Sequence, residues 1–119
     1  MQVDQQHAEA FATSWIEAWN SHDVERVLAH FADDVVFTSP LIATLLGDPS
    51  STVTGIGALR AYWSEGLRRI PDLRFELVHA FAGADVVAIA YTNQAGRPCL
   101  EVVELDGDGR VGRGQALYG

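Results

Sequence analysis

The sequence predicts a single α+β domain in which three N-terminal helices pack on a curved antiparallel sheet. Two observations support this class. Apolar residues recur at helical spacing in three segments up to residue 69, and residues 73–118 hold four strand-like runs joined by short, glycine-bearing turns. Helices followed by a meander of strands are typical of an α+β layout with the helices on one sheet face. We therefore expect a cone-shaped domain with a ligand pocket inside it.

The helices follow from apolar stripes and from the residues that interrupt them. The first is predicted over residues 5–20, and Ser21 or Asp23 can cap the second because a short polar side chain accepts hydrogen bonds from free backbone N–H groups. The third is predicted from Ile56 to Arg69 and ends before Pro71. The three stripes consist of Ala8, Phe11, Trp15, Ala18 and Trp19, then Val24, Val27, Leu28 and Phe31, then Leu59, Trp63 and Leu67.

The strands are predicted from β-branched and aromatic runs. A short one covers Val35–Thr38, and four more follow at Leu73–Phe81, Val86–Asn93, Pro98–Leu105 and Arg110–Tyr118. Residues 40–55 lack a clear period, so we expect an irregular loop there. Such a loop is either a lid over a ligand or a hydrophobic cover for the core.

The composition limits the partners of the protein. Its 119 residues fit one domain, residues 1–119, and 48% hydrophobic residues can fill a core. A net charge of −8 argues against nucleic acid and anionic membrane surfaces as partners. The single cysteine, Cys99, cannot form an intrachain disulfide, which suits a cytoplasmic location. Residues 1–10 lack the apolar segment of a signal peptide, and no apolar run is long enough to span a membrane.

Both faces of the middle strands are apolar, which predicts a partner on the outer face. Val86, Ala88 and Ala90 alternate with equally apolar residues, and so do Leu100 and Val102. An antiparallel sheet with one solvated face alternates more clearly between apolar and polar residues. Because no helix is left to cover the second face, we expect a homodimer.

Glu101 is the residue most suited to acid–base chemistry. It lies in the most hydrophobic part of its strand, with Cys99 and Val103 on the same face. If this face is concave, loss of water should raise the pKa of Glu101, so that it acts as an acid or hydrogen-bond donor. If the face is open to water, the residue is an ordinary surface carboxylate.

A ligand pocket is expected where the helix stripes meet the inward strand positions, although these aromatic residues are equally suited to a core. No metal or cofactor is expected, because the histidines lack ligand spacing and no glycine-rich phosphate motif occurs. Besides Glu101, the predicted lining residues are Trp15, Trp19, Phe37, Ser39, Trp63, Tyr91 and Tyr118.

The chain resembles the NTF2-like superfamily, within it the SnoaL-like and ketosteroid-isomerase-like branch. The residues that carry the resemblance are Trp15–Asn20 with Asp23, Phe31–Asp34 with Pro40, Gly57–Pro71, and the closing Gly109–Val111 and Ala116–Tyr118. It implies a curved sheet wrapped by three helices, a deep and mostly apolar pocket, and frequent homodimers. Members include isomerases, polyketide cyclases, epoxide hydrolases, dehydratases and non-catalytic binding modules.

The resemblance to the isomerases can be followed residue by residue. Their catalytic aspartate precedes the proline after the first strand, and Ser39 holds that position. Trp15 matches the tyrosine that polarises the substrate oxygen, and Glu101 matches a protonated aspartate on the third strand of the meander. Because proton abstraction needs a base within hydrogen-bond reach, Ser39 argues against steroid-type isomerisation. The sequence thus predicts a domain that binds a small apolar organic molecule, with any catalysis centred on Glu101, or alternatively a non-catalytic binding or dimerisation module.

Overall fold

The computed structural model describes residues 2–119 as helices packed on one face of a curved six-stranded sheet. The predicted α+β class is confirmed. In chain order the elements are α1 (Gln5–Asn20), α2 (Val24–Leu28), β1 (Phe31–Thr38), α3 (Pro40–Leu46), β2 (Thr52–Thr54), α4 (Ile56–Arg69), β3 (Glu76–Ala82), β4 (Val86–Thr92), β5 (Pro98–Leu105) and β6 (Val111–Tyr118). Within residues 2–119, no helix is both long and apolar enough to cross a membrane.

The sheet has the strand order β2-β1-β6-β5-β4-β3 and does not close into a barrel. The four strands from β3 to β6 form the predicted antiparallel meander. The first strand departs from the antiparallel expectation because β1 pairs with β6 in parallel, while β2 pairs with β1 in antiparallel orientation. This arrangement brings the end of the chain into the middle of the sheet.

The helix caps explain where the first two helices begin. Asp4 accepts a hydrogen bond from the backbone N–H of His7 at 2.7 Å, and Asp23 accepts one from Glu25 at 3.0 Å. The second helix is shorter than predicted, because Phe31 belongs to β1. The backbone N–H of Val111 donates to the carbonyl of His30 at 2.8 Å, which draws the chain into the sheet at this point.

The prediction of an irregular loop over residues 40–55 is wrong, because this segment contains helix α3 and strand β2. Ser39 caps α3 by accepting a hydrogen bond from Leu41, and Pro40 occupies its first turn. Gly47 ends the helix with φ +70°, a left-handed conformation that favours glycine. The structure therefore has a fourth helix, packed on α4.

The two faces of the sheet differ in burial. On β4, Val87, Ile89 and Tyr91 are buried under the helices, whereas the outward positions are half-buried. The outer face also carries Phe81, 52% exposed, and Leu117, 43% exposed. An apolar outer face left open to solvent is consistent with the pattern from which the homodimer is predicted.

Candidate functional site

A cavity of about 90 Å³ lies between the inner sheet face and the helices. Most of its walls are apolar, and eight of its side chains are aromatic. The aromatic residues are Trp15, Trp19, Phe37, Tyr62, Trp63, Phe75, Tyr91 and Tyr118. The remaining walls are formed by Leu41, Leu45, Gly66, Ile70, Leu73, Asn93, Gln94, Cys99, Glu101 and Ala116.

The structure brings seven of the eight residues predicted for the site to this cavity, Ser39 being the exception. Ser39 is fully buried behind the wall, where it accepts a hydrogen bond from the hydroxyl of Tyr62 at 3.2 Å. This placement shows which side chains share a cavity. Whether they bind a ligand stays a prediction.

Glu101 lies on the inner face of β5, between Ile89 of β4 and Ala116 of β6. It is 3% exposed, and within residues 2–119 its carboxyl group makes no hydrogen bond or ion pair. Burial without a compensating charge raises its pKa well above the ordinary value of 4.5. Burial therefore favours the protonated carboxyl, which can donate a hydrogen bond into the cavity.

The other acidic groups of the cavity are held in their protonated forms as well. Burial raises the pKa of Tyr62 to about 12. Burial also raises the pKa values of Tyr91, Tyr118 and Cys99. At neutral pH these groups are hydrogen-bond donors rather than bases.

Three further polar atoms at the cavity walls have no hydrogen-bond partner among residues 2–119. They are the buried indole nitrogens of Trp15 and Trp19 and the side-chain oxygen of Gln94. Trp15 packs edge-on against Trp19 and Tyr91, with ring centroids 6.2 and 5.3 Å apart. A buried donor that has lost water costs free energy, and a ligand acceptor would recover it.

Ser39 cannot take the role of the base that the isomerases hold at this position. Its hydroxyl oxygen accepts one hydrogen bond from the Leu41 backbone and another from Tyr62, both at 3.2 Å. A serine oxygen has two lone pairs, so both are occupied. The side chain caps α3 and holds the hydroxyl of Tyr62.

The sequence interpretation missed several wall residues, of which Tyr62 and Phe75 are the most informative. Tyr62 directly precedes Trp63 on α4. The helical spacing that placed Trp63 at the cavity could also have placed Tyr62 there. Phe75 lies before β3, where the Asn20 side chain accepts from its N–H at 2.7 Å and donates to its carbonyl at 2.9 Å. This clamp lets Phe75 stack on Trp15, with ring centroids 5.8 Å apart. A contact between residues 55 positions apart leaves no local pattern.

Metal ligands do not cluster in the part of the chain that the structure describes. No three His, Cys, Asp or Glu side chains of residues 2–119 are arranged to hold an ion. Of the histidines, His30 hydrogen-bonds Ser14 and the carbonyl of Val27, and His22 hydrogen-bonds the carbonyl of Leu73. These contacts join the helices to one another and to the segment before β3.

Comparison with known proteins identifies the family. The model of the SnoaL-like domain matches residues 12–118. The chain belongs to the SnoaL-like family. A SnoaL-like protein of unknown function from Burkholderia thailandensis is similar over 100% of this chain and 99% of its own, with 42% identity and a TM-score of 0.95. Comparison with curated proteins found no match.

More distant solved structures share the SnoaL-like fold. A candidate isomerase of the SnoaL-like family from Agrobacterium tumefaciens has 18% identity and a TM-score of 0.75, with 94% of this chain and 97% of that one covered. A candidate hydroxylase from Streptomyces galilaeus has 20% identity and a TM-score of 0.73, with 98% and 91% covered. At such identities the likeness concerns the fold, since one fold carries many activities.

Proposed function

We propose that this SnoaL-like domain binds a small, mostly apolar and uncharged organic molecule that carries an acceptor oxygen, such as a carbonyl. The observation that carries the proposal is Glu101, a buried carboxyl group at the cavity wall with no partner of its own. A buried polar group without a partner needs an explanation, and a bound ligand is the simplest one here.

The chemistry of the walls favours an uncharged ligand with an acceptor. Within residues 2–119 the cavity wall includes no arginine or histidine, and the chain has no lysine, so this part of the wall offers no cationic side chain to an anionic ligand. A protonated Glu101 and the indole N–H groups of Trp15 and Trp19 are all donors. An acceptor oxygen would give them a partner, while the aromatic walls bury the apolar remainder.

Acid catalysis by Glu101 is the enzymatic form of this proposal. A neutral carboxyl that hydrogen-bonds a carbonyl oxygen stabilises the negative charge that develops there in a transition state. Proton abstraction needs a base as well. The tyrosines and the cysteine of the wall cannot serve as one at neutral pH, because their raised pKa values keep them protonated. The occupied lone pairs of Ser39 favour the alternative, a binding module without catalysis.

A ligand screen with matched probes tests the proposal. All three tryptophans line the cavity, so their fluorescence or their indole N–H NMR signals report occupancy. Cyclohexanone and methylenecyclohexane differ in one heavy atom, because a CH₂ group replaces the acceptor oxygen. Because one hydrogen bond contributes about 1–1.5 kcal/mol, Glu101→Leu should lower the ratio of ketone to alkene affinity about tenfold.

Glu101→Gln is the matched control, because its amide can still donate a hydrogen bond. It should keep the wild-type preference for the ketone while losing any acid catalysis. An unchanged affinity ratio in Glu101→Leu would remove the support for an acceptor at this site.

We also propose that the protein is a homodimer that uses the outer sheet face. Besides the apolar positions on β4 and β5, the exposed Glu104 and Arg113 are cross-strand neighbours of opposite charge. Within residues 2–119 neither forms an ion pair, so Glu104 of one subunit could pair with Arg113 of a symmetric copy.

A cytoplasmic location remains our proposal, supported by the single cysteine.

A further inference from the structure

Helix α3 closes one side of the cavity with two leucines. Leu41 and Leu45 line the cavity, whereas the adjacent Leu46 points away and is 43% exposed. The helix is fixed at both ends, by the Ser39 cap and by the left-handed Gly47. Helix α3 therefore contains a leucine in the cavity wall, Leu45, followed directly by a leucine outside the wall, Leu46, which can serve as its matched control.

Gly66 on α4 lines the cavity next to Leu45. A Cβ atom at Gly66 would meet Leu45 Cδ1 at 4.0 Å, which is ordinary van der Waals contact. The missing side chain of Gly66 thus leaves open the space next to Leu45. Adding one methyl group there would reduce this space without a clash.

The volume of the cavity limits what fits between these walls. At about 90 Å³ it does not exceed an apolar cavity of about 150 Å³ that holds one benzene molecule, so a single six-membered ring is the upper bound for its occupant. We infer that Leu45 and Gly66 set the size limit of the ligand, restricting it to molecules of about one six-membered ring. The inference depends on the proposed function only in taking this cavity as the ligand site.

Hydrocarbon probes test the size limit without any hydrogen bond. Benzene and naphthalene are titrated into the ¹⁵N-labelled protein, and the three indole N–H signals report binding. The wild type should bind benzene and exclude naphthalene. Leu45→Ala should raise the ratio of naphthalene to benzene affinity at least tenfold, because truncation removes the wall. Leu46→Ala should behave as the wild type.

Gly66→Ala tests the same limit in the opposite direction, because it makes the cavity smaller and leaves Leu45 in place. Alanine favours a helix, so this variant is expected to fold, and it should weaken benzene binding severalfold. Equal behaviour of Leu45→Ala and Leu46→Ala would overturn the inference, as would naphthalene binding by the wild type or unchanged benzene binding by Gly66→Ala. The acceptor-oxygen proposal is tested separately, since neither hydrocarbon has an oxygen.

Discussion

Replacement of Glu101 by glutamine removes a titrating group from the cavity wall. The side chain keeps its size, and the new amide can still donate a hydrogen bond. In the folded protein, burial without a compensating charge raises the pKa of Glu101 well above 4.5. In the unfolded chain the carboxyl regains water and its ordinary value. The folded state therefore keeps a proton that the unfolded state has lost, over the pH range between the two values.

The size of the effect follows from this difference of one proton. Between the unfolded and the folded pKa, the free energy of unfolding of the wild type should fall by about 1.4 kcal/mol per pH unit relative to Glu101→Gln. The stabilising contribution of the protonated carboxyl is complete below the unfolded pKa and is lost as pH rises through the folded pKa. At neutral pH the variant should therefore be at least as stable as the wild type.

Urea denaturation of both proteins at half-unit steps from pH 4 to pH 8 measures this difference. Glu17→Gln is the matched control, because Glu17 is exposed on α1, away from both the cavity wall and the outer sheet face. A difference between Glu101→Gln and the wild type that does not change with pH would show that the carboxyl is solvated or paired in the fold, and would refute the raised pKa.

Three other predictions concern the walls and the outer face. Ser39→Ala removes the cap of α3 and the hydrogen-bond partner of Tyr62, so the free energy of unfolding should fall by about 1–3 kcal/mol. Ser64→Ala, at an exposed position, is the control, and equal stabilities of the two variants would contradict this prediction. Gly114→Ala places a Cβ 3.2 Å from the ring of Phe37 and should cost about 1–3 kcal/mol by denaturation, a loss that would be absent if the ring could move freely. Light scattering at micromolar concentration should give the mass of a dimer, because a stable interface of about 800 Å² per subunit fits the apolar outer face; a monomer would refute the dimer.

The sequence predicted most of the fold because its signals are local. The two-residue period of β5 placed Glu101 on the same face as Cys99 and Val103, and all three are buried. The helical spacing of Trp15 and Trp19 likewise placed both rings at the cavity. These patterns depend only on the periods of helix and strand.

The elements that the sequence interpretation missed depend on contacts far along the chain or on caps that need a context. Helix α3 has only seven residues, and its start depends on a serine that also accepts from Tyr62. The parallel pairing of β1 with β6 joins segments about 80 residues apart. The position of Phe75 depends on the amide of Asn20. None of these contacts leaves a periodic pattern, so they emerge only in the folded structure.

The ¹³C NMR signal of bound [1-¹³C]cyclohexanone tests our proposal that the Glu101 carboxyl donates a hydrogen bond to a ligand carbonyl. A hydrogen bond from a neutral acid moves this carbonyl signal downfield of its position in hydrocarbon solvent. We predict a downfield signal in the wild type and in Glu101→Gln, and a return toward the hydrocarbon value in Glu101→Leu. A bound carbonyl signal that is the same in the wild type and in Glu101→Leu would contradict the claim.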